Sequence, residues 1–448
     1  MSLSPESQAL IAAFGNHPGV TPDQIENLLT VLRDSPVLTD RFNEAVAQRS
    51  LRQILPLANP HAGADYEEQT KAIRIPLAKL IAPSQASTVG AFHAADLTFV
   101  LGHELQHAFN GEAKNGEEEG FRADATRLAR SDLVPHDYTA LVGRRIDADR
   151  RNEASAEIAG WNAVVSSLRN VDASPTLKDI YEAAPGRMLD FIDRSQSFPF
   201  TYTLKPNLTR NADLTLSPTP ANVEAMGHNY FDKAPGKTRL GHHGNSDYAN
   251  YYGAHAIGVV ASIERQHNPP QRGIAEPIVV DLARLRLSEQ LMEENGIDLG
   301  RNAQRMPYRD LASPSTLRHF DHTAGTHAHV PITAQALSQN SGTLQVTGMR
   351  AQPESHFFPR TATDDYLDAC HAALLRNDFD ACSALTQQHM QLPHMQERLA
   401  WGRQLYEAEQ QRLLEEQRRL EEQQRLAEQE RQQWQERRQA ERARGHAR

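Results

Sequence analysis

The sequence predicts an α+β fold that is predominantly helical. Two long stretches, Ala94 to Asn110 and Asp147 to Arg169, carry apolar residues at helical spacing. Lys71 to Leu80 and Pro277 to Leu282 read instead as strands that enter the central part of the chain. Apolar residues make up 39 % of the chain, which is enough for at least one sizeable core. No stretch approaches 18 consecutive apolar residues, so no membrane span is predicted.

Changes in composition divide the chain into four predicted regions. The first is helical, because Thr21 begins a capping-box pattern with Pro22 at the first helical position. In the second, a helix stop is expected at Asn110-Gly111, an exposed acidic turn at Asn115 to Glu119, and long loops over residues 205–250. The third region, residues 351–402, is predicted to form a helical hairpin. The fourth, rich in Gln, Glu and Arg, predicts a long C-terminal helix or a disordered tail. The four regions are residues 1–60, 61–350, 351–402 and 403–448.

Charge and cysteine content exclude some classes of protein. The formal net charge is −10, and an acidic body argues against nucleic acid as a partner because phosphate contacts need a basic surface. The two cysteines, Cys370 and Cys382, are too few for a disulfide framework. The first residues lack the basic and apolar regions of a secretory signal. The protein is therefore expected to be made in the cytoplasm, with export only by a route that does not read such a signal.

The motif that points to chemistry is His103-Glu104-Leu105-Gln106-His107. Two histidines four residues apart lie on one helix face, so both rings can bind one zinc ion. Glu104 lies beside them, where it can take a proton from water activated by the metal. Apolar neighbours indicate a buried helix, in which two histidines and a glutamate are costly without a metal. The alternative is an ordinary helix with two surface histidines.

A catalytic zinc ion usually has three protein ligands and a water molecule, so a third ligand is expected elsewhere in the chain. The segment from Asn152 to Glu157 offers Glu153 and Glu157, which share a face of the second long helix. One carboxylate can bind the metal while the other holds a ligand histidine through its second ring nitrogen. Both can instead be solvated surface carboxylates. Other candidate ligands are Glu119, Asp124 and Asp147.

Together, His103-Glu104-x-x-His107 and Asn152-Glu153-x-x-x-Glu157 resemble the motifs of the gluzincin metallopeptidases, the class of thermolysin. The resemblance covers residues 94–168 and implies a zincin-like metallopeptidase core. It also implies that Glu153 is the third zinc ligand and that Glu157 supports the first histidine. The chain departs from the family in having Glu157 where Asp is usual, and in a longer gap between the two motifs.

Other histidines are further candidates for the site. In gluzincins a late histidine donates a hydrogen bond to the transition-state oxyanion, and His255 resembles it in its order along the chain. Tyr251 or Tyr252 can assist, although Asn250 stands where the family typically has Asp. The remaining histidines border the cleft, bind a second metal or make ordinary hydrogen bonds. They are His242, His243, His322, His327 and His329.

The resulting hypothesis is a zinc-dependent metallopeptidase that hydrolyses amide bonds in a peptide or protein substrate. A peptidoglycan peptide amidase built on the same core is a second hypothesis. A non-catalytic helical scaffold that binds partners through residues 403–448 is a third. That tail resembles the Gln-rich tails of some bacterial type IV secretion effectors. The resemblance implies a secreted toxin, a contact with secretion machinery and an immunity protein that blocks the cleft.

Overall fold

A computed structural model provides the fold. It describes residues 2–58, 63–81, 92–132, 134–269, 277–299 and 305–321, together with His327, His329 and Gln391. The chain divides into two units, residues 1–342 and 343–448, and every helix and strand named below belongs to the first. The predicted hairpin over 351–402, the predicted tail over 403–448 and His322 lie outside the described residues.

Helices dominate the described part of the chain, which confirms the predicted α+β, predominantly helical class. A 3₁₀ turn covers Leu77–Leu80 and a π-helical turn covers Gly227–Phe231. The α-helices are α1 (Pro5–Gly15), α2 (Pro22–Asp34), α3 (Pro36–Ala47), α4 (Ala94–Ala129), α5 (Thr139–Val171), α6 (Leu177–Ala183), α7 (Pro185–Met188), α8 (Pro220–Met226), α9 (Tyr248–His267), α10 (Leu282–Leu285) and α11 (Glu289–Asn295). The strands are β1 (Gln53–Leu57), β2 (Asp65–Glu67), β3 (Ala72–Pro76), β4 (Ile192–Arg194), β5 (Tyr202–Leu204), β6 (Ile278–Val280), β7 (Arg305–Asp310) and β8 (Leu317–Asp321).

The strands form three small sheets. In the first, of order β1-β3-β2, β3 is central and runs parallel to β1 and antiparallel to β2, with Tyr66 opposite Ile73. The second is the antiparallel pair β4 and β5. The third has the order β6-β7-β8, with β7 parallel to β6 and antiparallel to β8. Since β2 lies at an end of the first sheet and also contacts α4, this sheet edge lies beside the HExxH helix.

The helices α4 and α5 form the most extensive contact between elements in the described chain. A Cβ atom on Gly102 would lie 2.9 Å from the Ala159 carbonyl oxygen, and one on Gly160 would lie 2.8 Å from the Phe99 carbonyl oxygen. Glycine at both positions therefore lets the two backbones approach closely. This close approach brings the two motifs together.

The predicted end of the first long helix at Asn110-Gly111 is wrong, because α4 continues to Ala129. Gly111 lies against the Glu68 carboxylate, where a Cβ atom would be only 2.3 Å from one carboxylate oxygen. This glycine serves close packing and not a helix stop. The acidic turn expected at Asn115 to Glu119 is likewise part of α4. The loop expected over 205–250 also contains two elements that were not predicted, α8 and the π-helical turn.

The N-terminal helices share one hydrophobic core with the first sheet and the first part of α4. Phe14, Leu28 and Phe42 are buried together with Ile73 and Leu101. The predicted capping box is confirmed at the start of α2, where the side chains of Thr21 and Gln24 each bond the other's backbone. The sheet of β6, β7 and β8 packs instead with α9 in a second core. In the described part of the chain, no helix is both long and apolar enough to cross a membrane.

Candidate metal centre

The helix α4 presents three polar side chains of the HExxH motif to the interior. His103 and Glu104 are buried and His107 is partly buried. The nearby Leu101 and Leu105 on the same helix belong to the hydrophobic core. The two imidazoles lie one turn apart, as a spacing of four residues requires. Their Nε2 atoms are 2.9 Å apart. Both rings therefore direct a ring nitrogen to the same point.

The helix α5 brings a carboxylate to that point. Glu153 is buried, and its Oε2 atom lies 3.6 Å from His103 Nε2 while its Oε1 atom lies 3.7 Å from His107 Nε2. The ligand atoms of these three residues all lie within 4.8 Å of one another. Among the described residues this is the one group of three or more His, Cys, Asp or Glu close enough to hold a metal ion. The three predicted ligands are thus brought together.

Each of the three side chains is held by a second contact. His103 Nδ1 lies 3.0 Å from Glu157 Oε1, which leaves Nε2 to face the other ligands. His107 Nδ1 lies 3.1 Å from the Asn152 amide, which has both a donor and an acceptor to offer the ring. The Tyr252 hydroxyl donates a 2.6 Å hydrogen bond to Glu153 Oε1. Contacts of this kind fix the orientation of metal ligands.

Three buried carboxylates surround the two histidines and shift their acid–base behaviour. Burial favours the neutral form of His103, but Glu157, Glu104 and Glu153 outweigh it and raise its pKa to about 9. Burial lowers the pKa of His107 to about 4, with the charge of His103 acting in the same direction. Burial raises the pKa of Glu104 to about 8. The centre therefore concentrates negative charge that a bound cation would offset.

Glu104 also lies next to the edge of the first sheet. The backbone of Tyr66 in β2 lies near the Glu104 carboxylate and partly opposes the rise in its pKa. Among the described strands β2 pairs with β3 alone, so β2 is an edge strand of this sheet. Glu104 thus lies beside an edge strand.

Two tyrosines that sequence reasoning did not single out also lie at the centre. The Tyr230 ring on the π-helical turn is 6.4 Å from the His103 ring, centroid to centroid. Its hydroxyl is hydrogen-bonded to the Tyr248 hydroxyl at the start of α9. Burial and the charge of Glu157 hold the pKa of Tyr230 well above its ordinary value. The spacing of Tyr248 and Tyr252 on one face of α9 is a signal that could have revealed Tyr248, whereas Tyr230 lay in a predicted loop.

The structure does not bring His255 to the metal-ligand group. Its side chain is 54 % exposed, and its Nε2 atom lies 3.9 Å from Glu118 Oε2. His255 lies almost one turn further along α9 than Tyr252, so it lies beside Glu118, whereas the Tyr252 hydroxyl reaches Glu153. The alternative third ligands are also elsewhere: Glu119 and Asp147 are exposed, and Asp124 pairs with Arg127 and Arg144.

The remaining histidines form ring and hydrogen-bond contacts. The His242 and His327 rings stack at 3.8 Å, and His243 Nε2 lies 2.8 Å from the His327 carbonyl oxygen. His329 pairs with the buried Glu293 carboxylate. Within the described residues, none of them joins a group of three potential metal ligands.

Comparison with known proteins identifies no relative of this chain. The chain matches no protein-family model, no curated protein and no solved structure. Any conclusion about function therefore depends on the geometry of the centre itself.

Proposed function

We propose that this protein is a zinc-dependent metallopeptidase that hydrolyses amide bonds, with His103, His107 and Glu153 as the zinc ligands and Glu104 as the general base. The observation that carries the proposal is the convergence of the three ligand atoms next to a buried carboxylate. A purely structural metal site needs no such carboxylate. The resemblance to gluzincin motifs supports the same assignment.

The donor set and its spacing suit zinc. Two imidazoles and one carboxylate are a ligand set of catalytic zinc sites, which keep a fourth position open. Tetrahedral zinc with bonds of about 2.0–2.1 Å places its ligand atoms about 3.3 Å apart. The two Nε2 atoms are 2.9 Å apart, and each lies 3.6–3.7 Å from the nearer oxygen of the Glu153 carboxylate, so these distances bracket that value. The ion can therefore be accommodated with small side-chain adjustments.

Glu104 supplies the proton transfers. Zinc, when bound, supplies a Lewis acid that polarises the scissile carbonyl and lowers the pKa of water. Glu104 takes the proton of the attacking water and then delivers it to the leaving amine. Its position suits this role, because Glu104 is buried and follows the ligand His103 directly in the chain.

The edge of β2 supports a peptide as the substrate. An extended peptide can add to an exposed strand edge through backbone hydrogen bonds, which hold it independently of its side chains. Tyr66 of the edge strand β2 lies near Glu104, so a peptide paired with the free edge of β2 would run close to the general base. This feature favours a peptidase acting on extended chains.

Tyr230 and Tyr248 are proposed to stabilise the developing oxyanion, in place of His255. The hydroxyls of Tyr230 and Tyr248 share one proton in the hydrogen bond between them. The other hydroxyl proton can therefore be donated to a different acceptor. The Tyr230 ring adjoins the ligand His103, whereas the contact found for His255 is with Glu118. Donors aimed at charge that develops in the transition state are worth several kcal/mol.

The test is a search for new peptide ends. Zinc-loaded protein is incubated with a mixture of unstructured proteins, and new N-termini are identified by mass spectrometry. The matched control is Glu104→Gln, which keeps the size of the side chain and removes the base. We expect cleavage by the wild type and none by Glu104→Gln at equal zinc content. Equal cleavage by both proteins would refute the role of Glu104. No cleavage by the zinc-loaded wild type would refute the peptidase assignment.

A further inference from the structure

A large pocket lies on the face of α5 next to the one that carries Glu153. Its volume is about 1140 Å³. It is walled by the first half of α5, by α8 with the π-helical turn, by the start of α9 and by the end of α10 with the residue that follows it. None of the proposed zinc ligands lines it. The pocket is therefore separate from the metal centre, although both are built on the same helix.

Five arginines line this pocket against three acidic residues. The arginines are Arg144, Arg150, Arg151, Arg284 and Arg286, and the acids are Asp147, Glu224 and Asp232. The lining thus carries an excess of positive charge in a chain whose net charge is −10. Asp124 and Glu117, just outside the lining, pair with Arg144 and Arg151, so the attraction for anions comes from the arginines that have no strong ion pair.

Arg150 is part of the framework, and Arg144 and Arg151 pair with Asp124 and Glu117, so Arg284 and Arg286 remain to meet a ligand. Arg150 donates to both Glu224 and Asp232, so its charge is balanced within the wall. Gly227 permits this, because a Cβ atom there would lie 2.6 Å from the guanidinium carbon. Arg284 is exposed and forms no ion pair with the described residues. Arg286 is 75 % exposed, and its contact with Asp232 is long at 3.6 Å.

The pocket also has an apolar wall. Phe231 and Leu285 lie among its lining residues, together with several alanines. The Phe231 ring stacks on the Tyr252 ring at 5.8 Å, and Tyr252 in turn bonds the Glu153 carboxylate. The lining of the pocket thus combines guanidinium groups with an aromatic residue that contacts Tyr252.

We propose that this pocket binds a phosphorylated organic anion, with Arg284 and Arg286 holding the phosphates. Planar guanidinium groups match the spacing of phosphate oxygens and bond them in pairs. The apolar wall accommodates the organic part, as in most small-molecule sites. The proposal does not depend on the peptidase assignment, since the arginine pocket contains no zinc ligand.

The test measures binding to the metal-free full-length chain, so that phosphate cannot bind through zinc. The probes are inorganic pyrophosphate and adenosine diphosphate. Titration calorimetry measures their binding at roughly 0.15 M salt, where weak surface attraction is screened. The pocket variant is Arg284→Ala with Arg286→Ala. The charge-matched control is Arg33→Ala with Arg169→Ala, which removes two exposed arginines outside the pocket.

We expect the wild type and the control to bind at least one probe with similar affinity. The pocket variant should bind about tenfold more weakly or worse, the loss expected for two charge-assisted contacts. Both variants alter exposed side chains, and an unchanged circular dichroism spectrum verifies that they fold. Two results would overturn the proposal: no binding of either probe by the wild type, or an equal loss in the pocket variant and the control.

Discussion

Two ends of the α4–α5 helix pair bury charged side chains in different ways. The metal end consists of His103, Glu104, His107, Glu153 and Glu157. The ion-pair end consists of Glu118, Arg145 and Asp149, with His255 from α9 beside them. Arg145 and Asp149 are as deeply buried as Glu153 and Glu157, so these two pairs differ in charge balance and not in exposure.

At the ion-pair end the chain supplies its own cation. Arg145 Nη2 donates a 3.0 Å hydrogen bond to Asp149, and its Nη1 atom lies 3.4 Å from Glu118. At the metal end three carboxylates face only two imidazoles. Buried carboxylates without a full counter-charge are costly. The contrast is the basis for proposing that an ion from outside the chain completes the metal end, whereas Arg145 supplies a cation at the ion-pair end.

The largest expected effect within the metal end concerns Tyr230. If its hydroxyl serves the transition state, Tyr230→Phe should lower kcat about 10²-fold, the scale of losing one oxyanion donor. KM and zinc content should stay near the wild-type values. Steady-state kinetics on a cleaved peptide checks this. Tyr251→Phe, a half-exposed neighbour in sequence of Tyr252, is the control and should leave kcat unchanged. A wild-type kcat in Tyr230→Phe would remove the tyrosine from the mechanism.

Glu157 should matter for affinity rather than for the number of ions bound. Its 3.0 Å contact with His103 Nδ1 orients that ligand, so Glu157→Gln is expected to weaken zinc binding by about 10–100-fold. Competition with a chromophoric chelator measures the Kd. At saturating zinc the variant should still hold one ion. An unchanged Kd would show that the buried carboxylate only fills space.

A smaller loss is expected for Tyr252→Phe. The variant removes one hydrogen bond to Glu153 Oε1 and keeps the ring that stacks on Phe231. We expect zinc to bind about three- to tenfold more weakly, since one hydrogen bond to a charged group is worth roughly 1.5 kcal/mol or less when its partner keeps other contacts. The same chelator competition is the measurement, again with Tyr251→Phe as the control. A loss of zinc affinity larger than that of Glu157→Gln would show that Tyr252 supports the zinc ligands more strongly than Glu157 does, which contradicts the prediction.

The smallest effect is predicted at the ion-pair end. Contacts with His255 and the charges of Arg145 and Arg122 lower the pKa of Glu118 to about 2, although burial opposes this. A carboxylate with a lowered pKa stabilises the fold above its unfolded value near 4.5, and the contribution is lost as pH falls toward 2. Glu118→Gln should therefore cost about 1 kcal/mol of unfolding free energy at neutral pH, a value reduced by solvent screening.

Chemical denaturation at pH 7, 5 and 3.5 tests this pH dependence, and the difference between wild type and Glu118→Gln should shrink at the lowest pH. The neighbouring Glu119 is exposed, so Glu119→Gln is the matched control and should differ little from wild type at any pH. A difference between wild type and Glu118→Gln that is constant with pH would mean that the ion pairs of Glu118 contribute nothing.

Local patterns were sufficient to predict several features. The capping box at Thr21 and the buried HExxH helix follow from spacing within single helices, whereas the resemblance to gluzincin motifs implied Glu153 as the third ligand. Features that depend on tertiary contacts were missed. Gly111 looked like a helix stop because its reason, the close approach of Glu68, comes from a different part of the chain. The proposed role of the C-terminal tail in export remains a prediction, because that segment lies outside the described residues.

The placement of the transition-state donor was also beyond local pattern. His255 was chosen for its order along the chain, but which residue of α9 faces Glu153 depends on how that helix rotates against α4 and α5. Packing of Phe231 against Tyr248 and Tyr252 accompanies the rotation that turns Tyr252 toward Glu153. The spacing of residues within α9 alone does not show whether Tyr252 or His255 faces Glu153.

The central claim is that the metal end holds one zinc ion, and zinc per chain measured by elemental mass spectrometry tests it most directly. Wild type, Glu153→Ala and Glu119→Ala are purified identically, loaded with zinc and dialysed. We predict about one zinc ion per chain in the wild type and in Glu119→Ala, in keeping with a three-ligand site. Glu153→Ala should hold far less. A wild type that retains no zinc, or a Glu153→Ala variant that retains as much as the wild type, would contradict the claim.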